Sequence, residues 1–242
     1  WNADDDVPTR IAEEWRLPVS YPGIVMEGGA VEFNGAGTVL TTKSCLLNRN
    51  RNPGLSKAEV ERYLCDYYGQ SHVLWLDDGI AGDDTDGHID DLARFIDART
   101  IVMGIEADPG DENYRVLQDN RRRVSRLRDQ DGRPFEVIEI PMPRAVVHEG
   151  QRLPATYVNF LFINGALLVP TFRDRRNDAR ALAILQRALL VQLVLHRQGR
   201  RQRAARQGEV ALAQPGDGPH RMAEEVALGL APGGGFALGL FF

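Results

Sequence analysis

The feature that most constrains how this chain can fold is a repeat. Asn34-Gly35-Ala36-Gly37 lies between the β-prone residues 31–33 and 38–40, and Asn-Gly supplies the positive φ angles a tight hairpin needs. A second hairpin is expected from residues 92–96 to 100–102, and a third from 157–163 to 166–169 around Asn164-Gly165, the strongest hairpin signal in the chain. The turns near Gly35, Ala98 and Gly165 stand 63 and 67 residues apart. After the first turn, Ser56 and Glu59 form a capping box, Val60, Tyr63, Leu64 and Tyr67 make one apolar stripe, and Gly69 supplies a stop. An apolar strand, 73–76, follows. After the second turn come a helix over about 112–128 and a strand over 135–140. After the third, Asn177 is placed as the cap of a helix carrying Leu182, Leu185 and Leu189. The unit is hairpin, helix, strand, and repeats of that kind imply a ring or array of like modules in an α/β fold.

Ahead of the first hairpin, Val7, Ile11 and Trp15 recur at helical spacing with Pro8 in the expected first turn, and residues 17–21 read as a short strand. The chain opens on Trp1 and an acidic cluster, which reads as a sequence that starts late. With 43% hydrophobic and 26% charged residues the 242-residue chain can bury a full core. Its net charge of -5 argues against nucleic acid as the main partner and suits a cationic substrate. Cys45 and Cys65 make no disulfide framework and fit a reducing cytosol, so the expected location is cytoplasmic; both read as packing residues. No apolar run approaches the roughly 18–20 residues of a membrane span, and no membrane association is expected.

Chemistry is expected where Gly82-Asp83-Asp84-Thr85-Asp86-Gly87-His88-Ile89-Asp90-Asp91 crowds carboxylates around one histidine. On an extended chain His88 and Asp90 point to the same face, and a neighbouring carboxylate favours the imidazolium, the property of an acid and base near neutral pH. The loops entering the hairpins carry polar motifs at corresponding places: Glu27-Gly28-Gly29, Asp86-Gly87-His88 and the approach to Asn159. Glu27 and His88 are 61 residues apart, about one repeat, so a contact between modules is expected. That pair is the orienting half of a nucleophilic triad. The repeat places the nucleophile near residue 222, where Gly218-Pro219-His220-Arg221-Met222 holds no cysteine. Alternatively, the acidic loop is simply solvated, or it binds a divalent cation through hard oxygen ligands, although the spacing of a calcium loop is missing.

Glu27-Gly28-Gly29, residues 41–53 (TTKSCLLNRNRNP), residues 84–90 (DTDGHID) and Tyr157-Val158-Asn159-Phe160 resemble the agmatine deiminase and bacterial, Porphyromonas-type peptidylarginine deiminase family, in order and over about residues 1–186. The resemblance implies a pentein-type α/β propeller, five ββαβ modules around a pseudo-fivefold axis, here incomplete and reduced to roughly the middle three. It implies hydrolysis of a guanidinium group, agmatine giving N-carbamoylputrescine and ammonia, with no cofactor and no metal. A cysteine attacks the guanidinium carbon, a protonated histidine helps ammonia leave, and the same histidine activates water to hydrolyse the thiouronium intermediate. By motif match His88 is the acid and base, Glu27 orients it, Asp90 binds guanidinium nitrogens, and Asp86 has a supporting role. Gly28, Gly29 and Gly87 would let the backbone approach substrate.

Two departures matter. The first module and its substrate-binding Asp are not in this sequence, and no Gly-Gly-Gly-Asn-x-His-Cys segment follows Gln186; Gly233-Gly234-Gly235-Phe236 shares only its glycines. Residues 1–187 are therefore read as a partial deiminase-like domain. Residues 188–242, rich in Ala, Arg, Gly, Leu and Gln, are read as an atypical tail from a reading frame lost near 188. The basic run 197–203 lacks the interleaved aromatics of a nucleic-acid arm. The expectation is a guanidine hydrolase by descent, inactive by itself, with a substrate that is agmatine or a peptidyl arginine. A non-catalytic cation binder and a carboxylate-metal hydrolase are the other readings.

Overall fold

The computed structural model describes residues 2–163, 166–206 and 239–241. Two modules of identical topology organise it. In the first, β1 (Val31–Phe33) and β2 (Thr38–Thr42) form an antiparallel hairpin, a short helix α2 (Lys43–Leu46) and a longer one α3 (Lys57–Tyr68) cross over, and β3 (His72–Leu76) returns parallel to β2. In the second, β4 (Ala93–Phe95), β5 (Thr100–Ile105), α4 (Asn113–Val124) and β6 (Glu136–Pro141) repeat the pattern, with β6 parallel to β5. The second hairpin strand is the central strand of each sheet. That is why β2 is buried at every residue and β5 at all but its last.

A third hairpin pairs β9 (Leu161–Ile163) with β10 (Ala166–Val169), followed by α5 (Arg175–Arg206). Here the last strand differs: β11 (Gly239–Phe241) runs antiparallel to β10. The turn Asn164-Gly165 and the segment around residue 222 lie outside the described residues.

The modules are joined through shared cores. Val31, Val39 and Trp75 pack with Val60 and Leu64 of α3 on one face of the first sheet. On the other face Leu40, Leu74 and Leu76 meet Leu117 and Val124 of α4, together with Ile101 and Met103 of β5. The step repeats one module on, where Val102 and Ile140 meet Tyr157, Phe160, Leu182 and Leu185. Polar contacts cross the same seams. Glu32 accepts from Arg94 Nε (2.7 Å) and Phe95 N (2.8 Å), and Arg94 Nη1 donates to the Phe160 carbonyl (2.7 Å). The loop motifs of successive modules are therefore held side by side.

The capping box on α3 forms as the sequence predicts, with Gly69 left-handed at φ 64°. Other expectations need correction. The first helix, α1 (Asn2–Trp15), starts earlier than expected and carries Pro8 inside it, and its Val7, Ile11 and Trp15 are exposed. Residues 17–21 form no strand. Arg16 turns the chain at φ 55°, Leu17, Val19 and Tyr21 are exposed, and no described strand lies beside them to complete a ladder. Asn177 does not cap α5: Asp174 accepts from the Asn177 backbone N–H and side chain, so the cap sits three residues earlier. Only residues 161–163 of the expected strand 157–163 are extended in a sheet; Tyr157, Val158 and Phe160 are buried in the loop before it. A hairpin of β7 (Val146–His148) and β8 (Gln151–Leu153) was not expected. Its turn uses Glu149 and Gly150 at φ 51° and 80°, a pair of left-handed residues that Glu-Gly does not advertise. Among the described residues no helix is long and apolar enough to cross a membrane.

Candidate active site

The acidic stretch is a built loop, and of its residues only Asp84 is exposed. Asp83 organises it: one carboxylate oxygen accepts from Thr85 N (2.8 Å) and the Thr85 hydroxyl, the other from Gly87 N (2.9 Å) and His88 N (3.0 Å). Asp86 and Gly87 are both left-handed, at φ 61° and 100°, and this reversal carries the chain to His88. Thr42 at the end of β2 ties the loop down by donating to the Gly87 carbonyl at 2.5 Å. The extended chain expected for His88 and Asp90 does not form: Asp90 lies in a single 3-10 turn, Ile89–Asp91, with His88 just before it. Their side chains still approach, His88 Nδ1 standing 3.9 Å from Asp90 Oδ1.

From the preceding module, Glu27 reaches His88 as the repeat spacing predicts, with Oε1 3.5 Å from Nε2. That distance is longer than a tight hydrogen bond. Gly29 makes the approach possible, because a Cβ at this position would lie 2.3 Å from His88 Nδ1 and about 3 Å from both Asp90 carboxylate oxygens. Gly29 thus makes room for a side chain of the protein itself. Gly28 faces open space, and the space over Gly87 is filled by Ser44 Oγ, 2.3 Å from where its Cβ would be.

Arg51, to which the sequence reading assigned no role, is the most heavily used side chain of the site. Its guanidinium donates to both oxygens of Glu27 (Nε to Oε2 at 2.5 Å, Nη2 to Oε1 at 2.9 Å), to Asp86 Oδ2 (2.8 Å) and to the Thr85 carbonyl (2.7 Å). The Arg51 side chain is 7% exposed. Hydrogen bonds from Arg51 hold Glu27 below the usual carboxylate range, and those from Asn50 and Arg51 do the same for Asp86. Asp86 is therefore spent on Arg51 and Asn50. Asp90 is different: burial pushes its carboxyl up, against the opposing pull of His88 and Arg94, and its Oδ1 has no hydrogen-bond partner among the described residues. The same holds for His88 Nε2. An unpartnered carboxylate oxygen beside the imidazole is what a bound cation with N–H donors would satisfy.

The third motif joins from its own loop, Asn159 Nδ2 donating to Asp91 Oδ1 at 3.0 Å. Burial raises the Asp91 carboxyl to about 6, and the Asn159 hydrogen bond only partly offsets this. A carboxyl whose folded pKa is raised keeps its proton between about pH 4 and 6 while the unfolded chain loses it, so stability falls as pH rises through that window. Asp91→Asn should abolish this part of the slope and leave the chain more stable than the parent at pH 7 by on the order of 2 kcal/mol. Urea midpoints of both proteins at pH 4 and pH 7 measure it.

Cys45 was read as a packing residue, and it is fully buried on α2 with Val60, Leu64 and Trp75. It also lies 3.9 Å from Glu27 Oε2. Burial pushes its thiol up to about 12, which leaves almost no thiolate at neutral pH and removes it as a nucleophile.

A mixed α/β fold with an imidazole held between carboxylates from successive modules defines the class, and comparison with known proteins narrows it. The chain belongs to the Porphyromonas-type peptidyl-arginine deiminase family, whose model matches residues 1–200. The agmatine deiminase of Pseudomonas aeruginosa (strain LESB58) is 38% identical over 206 residues, covering 77% of this chain and 56% of the relative; that of Pseudomonas syringae pv. tomato is 36% identical over the same length. A solved structure of the C. jejuni agmatine deiminase with substrate bound superposes at a TM-score of 0.71 and 39% identity, covering 77% of this chain and 54% of that one. The chain spans about half the length of the curated relatives it matches.

Proposed function

We propose that this chain carries the guanidinium-binding and proton-transfer half of a guanidine-group hydrolase of the agmatine deiminase type, acting on a small cationic substrate. The observation that carries the reading is the trio His88, Glu27 and Asp90, drawn together from two modules with an unpartnered carboxylate oxygen beside the imidazole. In the reaction a thiolate adds to the guanidinium carbon, ammonia departs with a proton from His88, and His88 then takes a proton from the water that cleaves the thiouronium carbon–sulfur bond. Glu27 holds the imidazole in place. Asp90 accepts hydrogen bonds from the planar guanidinium. Asp86 supports the site indirectly, through Arg51.

The architecture that fits is a pentein propeller of ββαβ modules about a pseudo-fivefold axis, of which this chain supplies about three. Two modules of the same topology that share cores in the same way support it. For the tail, the family match reaches residue 200 and α5 passes through position 188 without a break. We therefore place the change of character nearer 200, and the other two reading frames of the encoding DNA test its origin: a family segment with a cysteine there supports frame loss, and its absence refutes it.

Burial pushes the Cys45 thiol up to about 12, and Cys65 lies on α3, which contributes none of the residues gathered around His88, so we assign the thiolate to neither. The expected result is that the chain binds agmatine and releases no ammonia, with or without a chelator. Metal-independent release refutes the inactivity, and release abolished by a chelator favours a metal hydrolase. The family name favours a second substrate class, peptidyl arginine, and an acyl-arginine amide in the same binding assay separates the two.

A further inference from the structure

We propose that Glu27, Cys45 and His88 together form a binding site for a zinc-class divalent cation, centred on the carboxylate, thiol and imidazole that face one another across the module seam. One carboxylate oxygen, the thiol sulfur and a ring nitrogen of these residues all lie within 4.8 Å of one another. The two carboxylate oxygens of Glu27 divide between the other ligands, Oε1 standing 3.5 Å from His88 Nε2 and Oε2 3.9 Å from Cys45 Sγ. Around a tetrahedral zinc with bonds of about 2.0–2.3 Å, ligand atoms stand roughly 3.3–3.7 Å apart. Side-chain shifts of about an ångström close the set, and the fourth position stays open.

Three further observations support it. His88 Nε2 is buried and makes no hydrogen bond among the described residues, its contact with Glu27 Oε1 being 3.5 Å long, so this ligand atom is only loosely held. Cys45 is the buried floor, whereas the side chains of Glu27 and His88 are 35% and 14% exposed, so a cation enters from the rim and meets sulfur last. The mixed sulfur, nitrogen and oxygen donors select zinc or cobalt over magnesium or calcium. On binding, the Cys45 S–H proton passes to solvent and a metal–sulfur bond replaces it. The resulting thiolate and the Glu27 carboxylate balance the two positive charges. Arg51 works against the site: its guanidinium holds both oxygens of Glu27, and one must be released. Asp83 and Asp86 partly offset that charge at the thiol.

A cation here takes the His88 nitrogen that faces Glu27 and so removes the proton carrier. The proton-transfer role of that nitrogen rests on the proposed function; the metal site itself does not. The experiment is a titration of the complete chain with Co2+, under a phosphine reductant that leaves metal free. One equivalent should give a sulfur-to-cobalt charge-transfer band in the near ultraviolet, which Zn2+ then displaces. Cys45→Ser should remove the band and weaken Zn2+ binding at least tenfold, as should His88→Asn, while Cys65→Ser keeps both. No band with the parent chain, or a band that survives Cys45→Ser, overturns the proposal. Should the variants fail to fold, X-ray absorption of the parent with one equivalent of Zn2+ decides: a single sulfur at about 2.3 Å is expected, and a shell of only nitrogen and oxygen refutes it. The readout is metal, so agmatine binding stands or falls separately.

Discussion

Arg51→Met should destabilise the chain by about 1–3 kcal/mol and loosen the whole loop from Thr85 to His88. Removing the guanidinium leaves the two oxygens of Glu27, Asp86 Oδ2 and the Thr85 carbonyl without their donor in one step. Breaking a fully buried ion pair by deleting one partner costs more, about 3–5 kcal/mol. Glu27 and Asp86 are about one third exposed, so water recovers part of that loss. Arg51→Lys keeps the charge but cannot reproduce the fork on Glu27, and should fall between the two. Urea unfolding of the three proteins reads the order. A Lys variant as weak as Met would show that geometry alone matters; a Met variant as stable as the parent would show that the cluster does not support the loop.

Gly29→Ala should cost about 1–3 kcal/mol, while Gly28→Ala, one residue away, should cost almost nothing. The two glycines share a 3-10 turn, and neither needs a positive φ, so the contrast isolates space. A methyl at position 29 meets His88 Nδ1 at 2.3 Å and both Asp90 oxygens near 3 Å, whereas position 28 meets nothing within 4 Å. The imidazole must swing away from Glu27, so the penalty is one of overpacking and the site is lost with it. Unfolding midpoints together with the His88 ring signals in NMR spectra test both halves of the claim.

How much of this was legible in the sequence depends on how local the cause is. The α3 capping box is set by neighbours within a few residues and was read correctly; the first hairpin forms where expected, but its positive φ angles fall on Gly35 and Gly37 and not on Asn34, whose side chain accepts from Ala36 N and Thr38 N instead. Glu27 and His88 are distant in sequence but tied by the repeat, which made their contact readable from spacing alone. Residues 17–21 looked like a strand because β-propensity was present, yet a strand also needs an edge to pair with. Arg51 gave no signal, since arginine is ordinarily a surface residue and its carboxylates lie 24 and 35 residues away in another loop. Asp83 could have been found: an Asp two residues before Thr and four before Gly is the pattern of a side chain that caps its own turn. Asn177 was taken as the cap of α5 because Asn is a good one, but Asp174 accepts from more donors at the same place, including the Arg144 backbone N–H.

The central claim is that His88 and Asp90 receive a guanidinium group. The most direct test is to follow the His88 ring signals by NMR while agmatine, and separately putrescine, is titrated into the chain. The account predicts a saturable shift of His88 with agmatine, at least a tenfold weaker response to putrescine, which has an amine in place of the guanidinium, and loss of the agmatine response in Asp90→Asn. An unmoved His88, or the same response to both ligands, would contradict it.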